Sequence, residues 1–439
     1  MSFMSHHRFI TSTAFIAVGA LALVGCSSGG TTSTTTSAST TNLKGVTLNV
    51  AADWSGAEQT NFEKVLAQFS KDTGATVNYT SYGSDVATTL NTKIQGGDPP
   101  DVAVIPQPGL LDSLAKAGSL IPLDSATQSI VTADYSPDWI NLASVGGKDY
   151  GVWFKGANKS TVWYNTDVYK TAGASVPKTW PDFLTQLGLV STSGVYGLSI
   201  GADAGWPLTD WFENVYLRTA GPEMYDKLAA HEIPWTDPSV TKALTLLANL
   251  WSSTVLVQPG TAQRTFGDSV IAVFGTPPAA GTVYEGDFVA GNISSDTKSV
   301  VGVNAKFYDF PSIDNSPASV VGGGNVAVQL KDNKGAAALM QYLATPEAAT
   351  IWVKEGGFTS PNKKVDFSAY PDATSKQIAE ALVNAQVFRF DMSDLAPSAF
   401  GGTKGAGEWQ ILIDFFNNPT NIAGTQQQLE AAAAAAWGK

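Results

Sequence analysis

VTLNVAADWSGAEQTNFEKVLAQFSKDTGATVNYTSY, residues 46–82, decides the fold class. Its first seven residues, VTLNVAA, form a strand candidate. In the stretch that follows, Phe62, Val65, Leu66 and Phe69 recur at i, i+3, i+4 and i+7, one face of a helix. Gly74 stands where a left-handed helix cap belongs. ATVNYTSY, residues 75–82, is a second strand. Ser84 is placed to cap a helix carrying Val86, Leu90 and Ile94. DVAVI, residues 101–105, is almost entirely apolar, as a parallel strand covered on both faces must be. LLDSLAKAG completes a βαβαβα order with a short helix. That order implies an α/β fold built on an open, mostly parallel sheet.

Farther along, residues 147–165, GKDYGVWFKGANKSTVWYN, hold two extended apolar runs around the stretch KGANK. They read as a strand pair or as a crossing between lobes. Helices are expected at 180–188, 209–219 and 239–252. SVIAVFG, residues 269–275, reads as a strand leading into the loop TPPAAGTVYEGDFVAG. VVGGGNVAVQL, residues 320–330, reads as a glycine-flanked strand before a single helix, KGAAALMQYLATPEAATIWVKEGG. The C-terminal third reads as helical and ends in an alanine-rich stretch of high helix propensity.

Ahead of all this, LALVGCSSGG contains Cys26, the only cysteine in 439 residues. Leu23-Val24-Gly25-Cys26 resembles a bacterial lipobox. Before it lie a weakly basic start, His6, His7 and Arg8, and an apolar run too short for a comfortable transmembrane helix. After it, residues 27–41 are all Ser, Thr, Gly or Ala, a flexible tether with nothing to bury. The expectation is a lipoprotein signal over 1–25 and a lipidated Cys26 with its tether over 26–42. The protein is then extracytoplasmic and anchored to the membrane by lipid. A plain signal peptide with an incidental cysteine is the simpler reading.

The net charge of −12, with 38 acids against 26 Lys and Arg, argues against nucleic acid and against a polybasic membrane surface. About 400 residues exceed a single core, so two lobes are expected. One cysteine excludes a disulfide framework. Three histidines, two of them in the signal, exclude a zinc site built on several histidines. No cofactor and no metal are expected. Twelve tryptophans suit either a ring-binding cleft or a large aromatic core.

QGGDPPDVAVIPQPGLL, residues 95–111, resembles the family 1 extracellular solute-binding proteins of ABC importers, in which a helix ends in such a Gly-Gly-x-Pro-Pro-Asp turn before a buried strand. YGVWFK with WYN, and LATPEA at 343–348, are similar to further segments of that family. GWPLTDWFE, EGDFVAG and FRFDMSDLAPSAFG resemble its α-glucoside, maltose and trehalose branch. The resemblance implies a two-lobed periplasmic-binding-protein-like fold, with 43–154 and 318–345 as lobe 1 and 155–317 and 346–439 as lobe 2. Hinge crossings are expected near 154–158, 316–320 and 344–347. It implies a monomer that captures a di- or oligosaccharide and delivers it to the ABC importer permease. A polyol or another small neutral solute is the alternative ligand.

Candidate ligand residues follow. Asp53 and Trp54 end the first strand, and Tyr82 and Ser84 the second, where open α/β sheets place ligands. Surface turns are the plainer reading. Gln107 sits on a stiff Pro-Gln-Pro loop after the third strand. Lys155 lies at the crossing, where it bonds a hydroxyl or pairs with a carboxylate. Trp206 and Asp210 are taken for ligand, and the neighbouring Trp211 for core. Glu285, Asp287 and Phe288 lie in the loop after SVIAVFG, and the family places an aromatic contact at the position of Phe288. Asn325 follows three glycines that let backbone approach closely. Asp391 and Asp394 are the sharper candidates near Arg389, with an Arg–Asp pair organising the lobe as the alternative.

Two enzyme readings stay open at this stage. GLSIG matches G-x-S-x-G, but Ser199 reads as mid-strand rather than at a sharp turn, and His231 is the only base left. A secreted glycoside hydrolase would need two carboxylates at a defined separation, which spacing along the chain cannot show. A purely structural lipoprotein is a third class and would need no closing cleft.

Overall fold

A computed structural model describes residues 41–439. The signal, Cys26 and nearly all of the tether therefore lie outside the described residues. Strand β1 (Thr47–Ala52) is followed by the helix Gly56–Thr73, which buries Phe62, Val65, Leu66 and Phe69. Gly74, at φ 80°, stops it: the left-handed backbone there costs a glycine nothing. β2 (Thr76–Ser81) and β3 (Val102–Ile105) flank β1, both parallel to it. Between them runs the helix Val86–Gln95. Its N-cap is Asp85 rather than the expected Ser84, which belongs to the 3-10 turn Gly83–Asp85.

A two-stranded ribbon, β4 (Ser144–Val145) and β5 (Lys148–Asp149), leads into β6 (Gly151–Asn158), every residue of which is buried. The next strand, β7 (Thr161–Asn165), belongs to a different sheet, so the chain crosses between sheets at Lys159-Ser160. The second sheet runs β10-β7-β9-β8, with β8 (Tyr196–Ser199), β9 (Ala280–Glu285) and β10 (Ala305–Asp309). The chain then returns through β11 (Val320–Gln329), which pairs antiparallel with both β3 and β6. β12 (Phe388–Phe390) adds parallel to β11, giving a first sheet in the order β12-β11-β3-β1-β2, with β6 on β11.

Three assignments of helix, strand and loop also differ from the structure. SVIAVFG is not a strand but most of the helix Phe266–Phe274. Thr265 accepts the Asp268 amide at 3.0 Å as its cap, and Val270, Val273 and Phe274 fall on one buried face. The expected loop after it contains β9, the strand that joins β7 to β8. The long helix expected at 334–357 is two, Lys334–Leu343 and Pro346–Val353. Pro346 cannot continue a helix but fits its first turn, and Thr345 caps the second helix.

Each sheet has its own apolar core. The first gathers Val50, Phe62, Val104, Phe154, Val328 and Trp352. The second centres on Trp211, fully buried against Tyr284 at 4.6 Å and Phe310 at 5.7 Å between ring centroids. Residues from 346 onward, expected with the second lobe, begin in the first core: Ala348, Trp352, Val353, Phe358 and Phe390 all pack there. Val387 touches the second core, and Met392 is the first residue of this segment buried in it. Gly109 makes this possible, since a side chain there would lie 1.9 Å from the Ala396 carbonyl oxygen. Among the described residues, no helix is long and apolar enough to cross a membrane.

Candidate ligand-binding cleft

The carboxyl ends of β1 and β3 open onto a cleft of about 530 Å³, within the range that holds small ligands. From the strands of the first sheet and the turns after them come Asp53, Trp54, Gln107, Lys155 and Asn325, and from the helix Gly56–Thr73 comes Glu58. Facing them are Lys159, Trp206, Phe266, Phe288 and Trp409, with Asp391 and Asp394 beyond β12. Trp206 opens the helix Trp206–Ala220. Gly205 sets its entry at φ 101°, and a side chain at Gly205 would meet Trp409 at 2.6 Å. The rings of Trp206, Phe266 and Phe288 lean on one another with centroids 5.3 to 6.0 Å apart.

Two lysines organise the charge. Lys155, only 2% exposed, places Nζ 2.5 Å from Glu58 Oε1 and 5.4 Å from the Phe288 ring centre. Lys159 sits on the first crossing. Its Nζ lies 2.5 Å from Asp391 Oδ2, 3.1 Å from Asp210 Oδ1 and 3.8 Å from Asp394 Oδ2, and 5.7 Å from the Trp206 ring centre. Burial alone would lower the Lys159 pKa, but the three carboxylates raise it well above the ordinary lysine range. Burial also works against Asp391, yet Lys159 and the hydrogen bonds it accepts hold it below the usual carboxylate range. Asp391 further accepts the Asp394 amide at 3.0 Å, capping the turn Met392–Leu395.

The other buried acids go the opposite way. Burial, with Glu58 nearby, pushes Asp53 up to about 7, although Asn325 Nδ2 donates to it at 3.0 Å. Burial pushes Asp210 to about 7 and Asp287 to about 6. Glu213, Glu285, Asp394 and Glu408 are driven well above the usual range, first by burial and then by Asp210 and Asp391. Asp210, Glu213 and Asp391 bring carboxylate oxygens within 4.8 Å of one another; Asp210 and Asp391 hold the Lys159 ammonium, and Glu213 accepts from the Met392 and Ser393 amides.

A pH dependence follows. The raised acids keep protons in the folded state that they lose, unfolded, near pH 4. Between about pH 4 and 7 the folded state therefore binds more protons, and stability falls as pH rises. Asp391 acts in the reverse sense only at more acid pH. Urea unfolding at pH 5 and pH 8 is expected to show at least about 2 kcal/mol more stability at pH 5. An equal or higher midpoint at pH 8 would contradict this electrostatic assignment.

The structure brings ten of the fourteen candidates to the cleft wall: Asp53, Trp54, Ser84, Gln107, Lys155, Trp206, Phe288, Asn325, Asp391 and Asp394. Trp54 is there only by an edge. It is 3% exposed, with its ring against Phe62 at 4.9 Å and Trp352 at 4.8 Å, and serves the first core. Four candidates are not on the wall. Tyr82 packs against the first core. Asp210 lies one helical turn deeper than Trp206 and binds Lys159 from behind. Glu285 ends β9 inside the protein, and Asp287 accepts from Thr359 Oγ1. Arg389 takes the pairing role, with Nε 2.5 Å and Nη2 2.9 Å from the Asp226 carboxylate. Ser199 Oγ donates to Gln258, while His231 faces Glu430 at 3.2 Å, so the two do not form a nucleophile–base pair.

Sequence reasoning missed Glu58, Lys159, Phe266 and Trp409. Lys159 carried a signal, since it ends the same KGANK stretch as Lys155. Phe266 was hidden by the strand reading of its helix, and nothing in the sequence marks Trp409.

Residues 53–350 match the model of a family described as bacterial extracellular solute-binding protein. The chain is 34% identical over 407 residues to the alpha-glucosides-binding periplasmic protein AglE of Rhizobium meliloti, covering 88% of this chain and 87% of that one. It is 33% identical over 370 residues to the osmoprotective compounds-binding protein GgtB of Synechocystis sp., covering 82% and 86%. Among solved structures, the bacterial solute receptor AcbH shares the fold with a TM-score of 0.77 at 23% identity, covering 89% of this chain and 98% of that one. Raffinose-bound RafE does so with a TM-score of 0.73 at 17% identity, covering 89% and 99%.

Proposed function

Because the chain belongs to the bacterial extracellular solute-binding proteins, we propose that it captures an α-glucosyl di- or small oligosaccharide and hands it to the permease of an ABC importer. One observation carries this reading: a single cleft combines a wall of aromatic rings with carboxylates and amides. A pyranose has apolar C–H faces and a rim of hydroxyls. Trp206, Phe266 and Phe288 suit the faces, and Asp53, Gln107, Asn325 and Asp394 suit the rim. The name of AglE, which specifies alpha-glucosides, supports this ligand class, while that of GgtB specifies osmoprotective compounds.

Capture proceeds by closure of two lobes, one on each sheet. The lobes in this reading are 43–158 with 320–390, and 159–319 with 391–439. The hinge is the set of crossings at Lys159-Ser160, between β10 and β11, and after β12. A hinge built from a few strand-end residues is the usual device for closing over a ligand. The protein acts as a monomer without a cofactor and breaks no bond in its ligand.

The test is a titration of residues 27–439 followed by tryptophan fluorescence. Maltose, trehalose, sucrose and maltotriose would be compared with a β-linked control, and the mixtures checked for hydrolysis. Saturable, α-selective binding without cleavage is expected. No response to any sugar, or cleavage, would overturn the reading.

Lipid attachment at Cys26 belongs to the same proposal and has its own test. In the full-length protein, Cys26→Ala is expected to move the protein from the membrane fraction to the soluble fraction. Retention in the membrane fraction would remove the anchor from the account.

A further inference from the structure

We infer that the ligand this cleft favours is a saccharide bearing a protonated amine, held by Asp394 and Asp53 against the aromatic wall. The inference rests on the sugar-binding reading and deepens it.

The first ground is an imbalance of charge. Six carboxylates line the cleft against two ammoniums. Both ammoniums are already committed, Lys155 to Glu58 and Lys159 to Asp391 and Asp210. Asp203 has Lys404 at 3.4 Å. Among the described residues, Asp53 takes its side-chain hydrogen bonds from the uncharged Asn325 amide alone, and Lys155 attracts it without bonding to it. Asp394, 5% exposed and facing the cleft, stands 3.8 Å from a lysine that is 2.5 Å from another acid. Among the described residues, no hydrogen bond reaches the Asp394 side chain. A nearly buried carboxyl with no hydrogen bond, and with a lysine it shares with two other acids, is costly unless something supplies donors.

The second ground is the kind of donor needed. A sugar hydroxyl both gives and takes a hydrogen bond, whereas an ammonium gives three and takes none. Asp53 and Asp394, neither of which has a lysine to itself, are acceptors when ionised. Burial opposes their ionisation, with Glu58 acting on Asp53 and Asp391 on Asp394, and a bound cation would favour it. The third ground is the wall itself. The rings of Phe288 and Trp206 each already take a lysine ammonium at 5.4 and 5.7 Å. Aromatic faces beside carboxylates form a surroundings suited to cations.

The experiment compares the tightest neutral disaccharide of the titration panel with its 2-, 4- and 6-amino-deoxy derivatives and with the N-acetyl form of each amine. Acetylation keeps the nitrogen and removes the charge. At least one amine is expected to bind tenfold or more tightly than the neutral parent. Its acetyl form should lose that gain, and so should Asp394→Asn. Asp53→Asn provides a second variant should Asp394→Asn fail to fold. If the neutral sugar binds and every amine binds equally or more weakly, the inference falls and the sugar reading stands. If neither neutral nor aminated sugars bind, both fall.

Discussion

Lys159→Met is expected to cost about 3–5 kcal/mol of folding stability, the loss typical of breaking a buried ion pair from one side. Methionine fills much of the lysine stem's space, so the loss reports charge more than volume. Among the described residues, Asp391 would keep Ser393 Oγ and the Asp394 amide as donors, and Asp210 would lose its one ion-pair partner. These acids can escape by taking up protons, so the loss should be smaller at pH 5 than at pH 8. Adding Asp391→Asn to Lys159→Met should restore part of the stability, since an amide carries no charge to strand. Urea unfolding of the single and double variants reads all of this. A single-variant loss under about 1 kcal/mol, the range of surface pairs, would show that Lys159 does not organise the cluster.

Trp206→Ala is expected to weaken sugar binding tenfold or more while leaving most of the stability intact. The ring is half-buried at the first position of its helix and faces the cleft, where it meets Phe266 at 5.4 Å and Phe288 at 6.0 Å. Removing it takes away a stacking face rather than a core residue. Trp211, five residues on, provides the contrast. It is fully buried against Trp180, Phe183, Tyr284 and Phe310, and Trp211→Ala should cost about 3–5 kcal/mol. Titration calorimetry beside thermal unfolding separates the two effects. Unchanged affinity in Trp206→Ala would take that ring out of the site.

The opening of the fold was legible because its signals are local. Phe62, Val65, Leu66 and Phe69 mark a helix face whatever surrounds them, and Gly74 marks its end. The helix Phe266–Phe274 was not legible, since Val270, Ile271, Val273 and Phe274 suit a strand by composition. What makes it helical is the Thr265 cap and the packing of one face. β9 was masked by the prolines ahead of it, at 277 and 278, and by Gly281 within it, though the strand is fully buried.

The site was legible to the level of segment and less so to the level of side chain. Trp206 and Asp210 are one turn apart on one helix face, as their spacing requires. Yet the helix points into the protein, so the first meets the cleft and the second lies behind Lys159. Lys155 and Lys159 are both in the cleft wall, but which acids each would meet depends on chain segments more than fifty residues away. Trp54 sits at a strand end as expected, and the packing of Trp352 and Phe62 turns its ring into the core. Such outcomes are set by tertiary packing and leave no trace in local spacing.

The central claim is that a sugar is held between two lobes that close on it. Hydrogen exchange of the protein, with and without a saturating α-linked disaccharide, tests this most directly. Slowed exchange is expected on both walls together: around Asp53 to Glu58 and Gln107 on one, and around Trp206, Phe266 and Phe288 on the other. Protection on one wall alone, or no change at saturation, would contradict it.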